Sequence, residues 1–163
     1  MTIFELAAAV LDALAAAGRT LATAESCTGG MVGQALTAIP GSSAHYLGGV
    51  ISYTNGVKAA LLGVPEQILE THGAVSRPVA EAMARGVRQA VGADVGVSVT
   101  GLAGPSGDGS GKPVGLVYTA ISDGKTTRCR EHRFSGDRQA IREAAAKAAL
   151  EQVLTSLEKQ VSE

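Results

Sequence analysis

The sequence predicts an α/β fold, a single-domain α/β/α sandwich with a mixed sheet formed by residues 1–163. Three observations point to it. Short strand-like runs alternate with helical stripes over the first hundred residues, the order that builds parallel β-α units. A hairpin pattern follows around Ser122-Asp123-Gly124-Lys125 and adds antiparallel strands. A polar turn, Ser26-Cys27-Thr28-Gly29-Gly30, joins the first strand to the next helix, a junction whose backbone N–H groups favour anionic chemistry.

Thr2-Ile3-Phe4-Glu5 has the form of a capping box, and Phe4, Leu6, Ala7, Val10, Leu11 and Leu14 follow as an apolar stripe that Gly18 ends. Leu21 to Ala24 reads as a strand, and the helix after the turn runs to about Ala38. Gly48 to Thr54 reads as a second strand, with Asn55 capping a short helix through Leu62. Pro65 suits the first turn of another short helix through Glu70, and a longer one covers Pro78 to Val91. In the strand Asp94 to Thr100, Val95, Val97 and Val99 share one side, while Gly96 and Ser98 leave the other open to close cover by a helix. A Gly-rich loop, Gly101 to Pro113, leads into the hairpin strands Val114 to Ile121 and Thr126 to Phe134. The last helix begins near Asp137 and runs to about Glu158, burying Ile141, Ala144, Ala148, Leu150, Val153 and Leu157.

Composition narrows the function. A net charge of -1 lacks the surplus of Lys and Arg that a general nucleic-acid or anionic-membrane binder needs. No apolar run is long enough to span a bilayer, and the N-terminus lacks the layout of a signal peptide, so a cytoplasmic chain is expected. Cys27 and Cys129 make neither a disulfide framework nor a zinc site. His45, His72 and His132 are scattered, so no metal is expected and each histidine reads as structural.

The turn holds three nucleophile-type side chains, Ser26, Cys27 and Thr28, although a serine or threonine before a helix also serves as a plain cap. A serine nucleophile needs a base, and no histidine is well placed in sequence to be one. Lys58 stands in an otherwise apolar helix, where desolvation lowers a lysine's pKa toward working pH. Tyr53, five residues earlier, is placed to relay a proton or hold the lysine. The opposing reading has Lys58 snorkelling to solvent and Tyr53 packed in the core. The Gly101 to Gly111 loop, with the hydroxyls of Thr100, Ser106 and Ser110, suits an anion such as phosphate, or is simply a mobile connection. It matches neither a Walker A nor a dinucleotide fingerprint. Arg138 and Arg142, one helical turn apart, either pair with a phosphate or are solvated.

Several segments together resemble the CinA C-terminal domain family. These are Thr23-Ala24-Glu25-Ser26-Cys27-Thr28-Gly29-Gly30, Pro40-Gly41-Ser42-Ser43-Ala44 and Gly48-Gly49-Val50-Ile51-Ser52-Tyr53-Thr54-Asn55-Gly56-Val57-Lys58. Leu62-Gly63-Val64, His72-Gly73-Ala74-Val75-Ser76, Val99-Thr100-Gly101-Leu102-Ala103-Gly104-Pro105, Lys112-Pro113-Val114-Gly115 and Phe134-Ser135-Gly136-Asp137-Arg138 continue it in order. Where the family usually has Glu-Ala before the lysine, this chain has Gly56-Val57. The resemblance implies a stand-alone form, without the additional N-terminal domain the family often carries. It implies hydrolysis of the carboxamide of nicotinamide mononucleotide (NMN) to nicotinic acid mononucleotide and ammonia, a step of pyridine nucleotide salvage, without a cofactor.

Carried over by motif, the serine is Ser26 and the Tyr-x4-Lys pair is Tyr53 and Lys58. The chemistry expected is attack by Ser26 with Lys58 as base, helped by Tyr53, and an oxyanion held by N–H groups of Thr28, Gly29 and Gly30. Thr100, Gly101 and Gly104 of the loop region, with Arg138 or Arg142, are expected to hold the 5′-phosphate. Cys27 is the competing nucleophile. The alternative reading is a non-catalytic nucleotide- or partner-binding module linked to competence or the DNA-damage response, and a third is an amidase for another small amide. The small-molecule substrate is the expected partner, with no nucleic acid and no membrane, and the apolar helices suit a homodimer or higher homo-oligomer.

Overall fold

The sheet is built from β1 (Leu21–Glu25), β2 (Tyr46–Ile51), β3 (Val95–Gly101), β4 (Leu116–Ser122) and β5 (Thr127–Arg133), in the spatial order β2-β1-β3-β4-β5. The computed structural model describes residues 1–161. β1 runs parallel to both neighbours, with Glu25 level with Ile51 on one side and Val99 on the other. β3, β4 and β5 are antiparallel in sequence, so the sheet is mixed as expected.

Helices cover both faces. α1 (Ile3–Ala17), α2 (Met31–Thr37) and α6 (Arg138–Val161) pack on the side toward which Val95, Val97, Val99, Val117 and Ile121 point. α3 (Asn55–Leu62), α4 (Glu66–His72) and α5 (Arg77–Val91) pack on the other, around Ala22, Ala24, Leu62, Leu69, Met83 and Val87. The small residues of β3 admit α5 closely: Ser98 donates its hydroxyl to the Ala80 carbonyl at 2.6 Å, and a Cβ on Gly96 would lie 2.2 Å from the Ala84 carbonyl oxygen. Among the described residues, no helix is long and apolar enough to cross a membrane.

Several boundaries differ from the sequence reading. β2 starts at Tyr46 and stops at Ile51, and the Ser52 N–H, on the Glu25 carbonyl at 2.7 Å, makes the last bond of its ladder with β1. The cap of α3 is Thr54, whose hydroxyl accepts the Val57 N–H at 3.4 Å, and not Asn55, which is already helical. Phe4 is exposed rather than part of the buried stripe, and in α6 it is Ala145, Ala146 and Ala149 that turn fully inward, with Ala144 half-buried.

The capping box of α1 is present: Thr2 accepts the Glu5 N–H at 3.1 Å and the Glu5 carboxylate accepts the Thr2 N–H at 2.7 Å. Thr2→Ala is expected to cost about 1 kcal/mol in urea unfolding. An unchanged midpoint would mean the cap contributes nothing.

Candidate active site

β1 has one parallel neighbour on each side, so the chain leaves its carboxyl end and that of β3 in different directions and opens a crevice there. A cleft of about 260 Å³ occupies it. Of the residues expected to do chemistry, Ser26, Lys58, Tyr53, Thr100, Gly101, Gly104 and Arg138 line this cleft, and Cys27 joins them. Thr28, Gly29, Gly30 and Arg142 do not.

Ser26 directly follows β1, and its N–H donates to the Val99 carbonyl of β3 at 3.0 Å, which fixes the residue against the sheet. Lys58, from the first turn of α3, is only 1% exposed and does not snorkel to solvent. Its Nζ lies 2.9 Å from Ser26 Oγ and donates to the Ser52 carbonyl at 2.7 Å. No carboxylate touches it among the described residues, so burial dominates and lowers its pKa from 10.5 to about 8, against a small opposing effect of Cys27. Burial pushes the Cys27 thiol up to about 12, so it stays protonated and is the poorer nucleophile.

Tyr53 is 59% exposed, neither packed in the core nor bonded to the lysine. Its hydroxyl instead accepts from Arg138 Nη2 at 3.0 Å, while Arg138 Nη1 donates to the Gly104 carbonyl at 2.6 Å. The loop, the tyrosine and the start of α6 are thereby tied into one wall. The Thr100 hydroxyl is committed to the Ala74 carbonyl at 2.9 Å, so it positions the loop rather than offering a donor to a ligand.

The turn after Ser26 is organised otherwise than expected. The Gly29 N–H is used within the turn, on the Ser26 carbonyl at 3.1 Å. The N–H groups of Val32 and Gly33 are taken by Glu25, whose Oε1 accepts Val32 at 2.9 Å and the Thr28 hydroxyl at 2.6 Å, and whose Oε2 accepts Gly33 at 3.0 Å. Arg142 grips the same turn from outside, donating to the carbonyls of Cys27 at 3.0 Å and Thr28 at 3.1 Å. It clamps the turn from outside the cleft, whereas Arg138 lines the cleft.

Glu25 and Ser52 were not singled out in the sequence. The Glu25 main-chain carbonyl accepts both the Ser52 N–H and its hydroxyl, the latter at 3.2 Å, and the Ser52 carbonyl in turn holds Lys58. An acidic residue ahead of a helix start is a recognisable capping signal, but here it stands seven residues before the N–H it serves. The histidines lie elsewhere: His45 bonds the Arg19 carbonyl at 3.0 Å and His132 the Thr119 hydroxyl at 2.8 Å.

Fold and cleft together define an α/β protein with a serine held by a buried lysine at a strand-to-helix turn. The chain belongs to the CinA C-terminal domain family, whose profile matches residues 3–157. A CinA-like protein of Myxococcus xanthus is 53% identical over 146 residues, covering 89% of this chain and 35% of that protein. A putative competence-damage inducible protein of Desulforamulus reducens is 52% identical over 134 residues, 82% of this chain and 32% of the other. The chain thus spans about a third of the length of these curated relatives. Among solved structures, a CinA superfamily protein of Klebsiella pneumoniae matches with TM-score 0.95 at 34% identity, over 98% of this chain and 99% of that one. The competence/damage inducible protein CihA of Agrobacterium tumefaciens matches with TM-score 0.90 at 42% identity, over 96% and 95%.

Proposed function

We propose that this chain is an amidohydrolase that converts NMN to nicotinic acid mononucleotide and ammonia through a Ser26-Lys58 pair. The observation that carries the reading is the 2.9 Å approach of a desolvated lysine, with a pKa near 8, to a serine hydroxyl at the edge of a cleft. Neutral Lys58 takes the Ser26 proton as Oγ attacks the carboxamide carbon. The Ser52 carbonyl orients the amine and stabilises the ammonium that forms. Lys58 then gives that proton to the leaving nitrogen, and ammonia departs from an acyl-serine ester. Water, deprotonated by the same lysine, hydrolyses the ester and releases the carboxylate. The Gly29 N–H is engaged within the turn, and Thr28 and Gly30 lie outside the cleft lining, so the Cys27 N–H, next to the nucleophile and in the cleft wall, is the donor assigned to the oxyanion. Arg138 and the Gly101 to Gly107 loop face the 5′-phosphate.

Ammonia release from NMN by the purified protein tests this. Wild type and Cys27→Ala are expected to turn over within about threefold of each other, and Ser26→Ala to fall at least about 10³-fold. Activity retained in Ser26→Ala and lost in Cys27→Ala reverses the assignment of the nucleophile. NMN binding without turnover in the folded wild type points to a binding module instead.

A further inference from the structure

A second, smaller cavity of about 150 Å³ lies between β2 and α2, outside the cleft, and is lined by Glu25, Thr23, Tyr46, Gly33 and Gly49. Two glycines make its space. A Cβ on Gly33 would lie 2.9 Å from the Tyr46 hydroxyl and 3.6 Å from Glu25 Oε2. A Cβ on Gly49 would lie 2.2 Å from Thr23 Oγ1 and 3.0 Å from the same Tyr46 hydroxyl. Three side-chain oxygens therefore converge on one small volume that any larger residue would fill.

The hydrogen-bond inventory of Glu25 is incomplete on that side. A carboxylate offers about four acceptor positions. Oε1 uses two, on Thr28 and Val32, whereas Oε2 uses one, on Gly33, and Oε2 is the oxygen nearest the cavity. Glu25 is 3% exposed and has no ion pair among the described residues, so its carboxyl group is buried with one hydroxyl and two N–H groups as its partners. A carboxylate so placed attracts a counter-ion wherever space reaches it. The hydroxyl oxygens of Tyr46 and Thr23 lie 2.7 Å apart with one of their two hydrogens between them, and each oxygen keeps a lone pair for a further ligand. The phenol of Tyr46 is raised by burial and, beyond an opposing hydrogen bond from Thr23, by the Glu25 charge, which places the two groups in electrostatic contact.

We propose that this cavity is a site for a small monovalent cation, potassium or ammonium, bound by Glu25 Oε2, Tyr46 Oη and Thr23 Oγ1. A single carboxylate balances one positive charge and falls short of the several that protein calcium sites supply, so a divalent ion would stay under-compensated here. The bound cation neutralises Glu25 and so tightens the turn that carries Ser26. The site does not depend on the amidase reading, although ammonium is the product of that reaction.

Thermal unfolding in 100 mM chloride salts at equal ionic strength separates the possibilities. KCl, RbCl or NH4Cl is expected to raise the Tm by roughly 2–4 °C over tetramethylammonium chloride, whose cation is too large for the cavity. Tyr46→Phe, which keeps the ring, is expected to reduce that difference, and Glu25→Gln to abolish it. A rubidium soak of crystals is expected to give an anomalous peak beside Glu25 Oε2. Equal Tm values in all the salts, a cation-specific rise that survives in both variants, or no rubidium peak would overturn the proposal and leave the cavity to water. None of these readouts involves NMN, so failure here and failure of the amidase reading are told apart.

Discussion

Lys58→Met is expected to lower NMN turnover by roughly 10³–10⁴-fold while making the protein more stable at pH 7, two opposite effects from one substitution. The activity loss follows because Nζ is the group within 2.9 Å of Ser26 Oγ that can take its proton. The stability gain follows from the sign of the pKa shift. Burial lowers the folded-state value to about 8 from an ordinary 10.5, so between these values the unfolded chain holds the proton and the folded one has released it. Stability contributed by this residue therefore rises with pH from about 8 to 10.5, and the cost of the buried ammonium is full below about 8. At about 1.4 kcal/mol per decade that cost is about 3 kcal/mol. Methionine, with similar length and no charge, removes it, although part of the gain is lost to the buried Ser52 carbonyl that no longer has its donor. Urea unfolding at pH 7 and at pH 10.5 checks this: the gain should be clear at pH 7 and shrink at the higher pH. In wild type the same titration is expected to make NMN turnover rise with pH through about 8. A rate flat from pH 6 to 9, or a stability difference between variant and wild type that does not change with pH, would remove Lys58 as a neutral base.

The fold class and most of the cleft were legible in the sequence because they rest on local signals. Lys58 stood out as one charge among apolar neighbours, and the Ser-Cys-Thr-Gly-Gly turn stood out by its position between strand and helix. What each polar group bonds to was not legible, because the partners are far apart in the chain. In sequence Arg142 is open between pairing with a phosphate and solvation, and only the fold shows α6 lying across the turn with this guanidinium on the Cys27 carbonyl, 115 residues away. Tyr53 stands five residues before Lys58, yet the buried lysine bonds the Ser52 carbonyl while the exposed tyrosine bonds Arg138. Glu25 was hidden by its own place in a strand, where side-chain direction alternates and only the packed sheet shows which face it takes.

Glu25→Ala is expected to destabilise the chain by about 3–5 kcal/mol. The substitution leaves the Thr28 hydroxyl and the Val32 N–H, both buried, and the half-buried Gly33 N–H without their acceptor. Each buried donor so orphaned costs about 1–3 kcal/mol, and the vacated side-chain volume adds to it. Glu25→Gln separates charge from shape. Its amide oxygen can keep the two bonds of Oε1, while its NH2 group opposes the Gly33 N–H, so a loss of about 1–2 kcal/mol is expected. A loss below about 1 kcal/mol in the alanine variant would mean that Arg142 and the main-chain bonds hold the turn without Glu25. The main-chain carbonyl of residue 25 is present in every variant, and through Ser52 it still fixes Lys58. The glutamine variant should therefore keep the inflection of NMN turnover near pH 8 and lose only plateau rate, because what loosens is the nucleophile's turn and not the environment of its base.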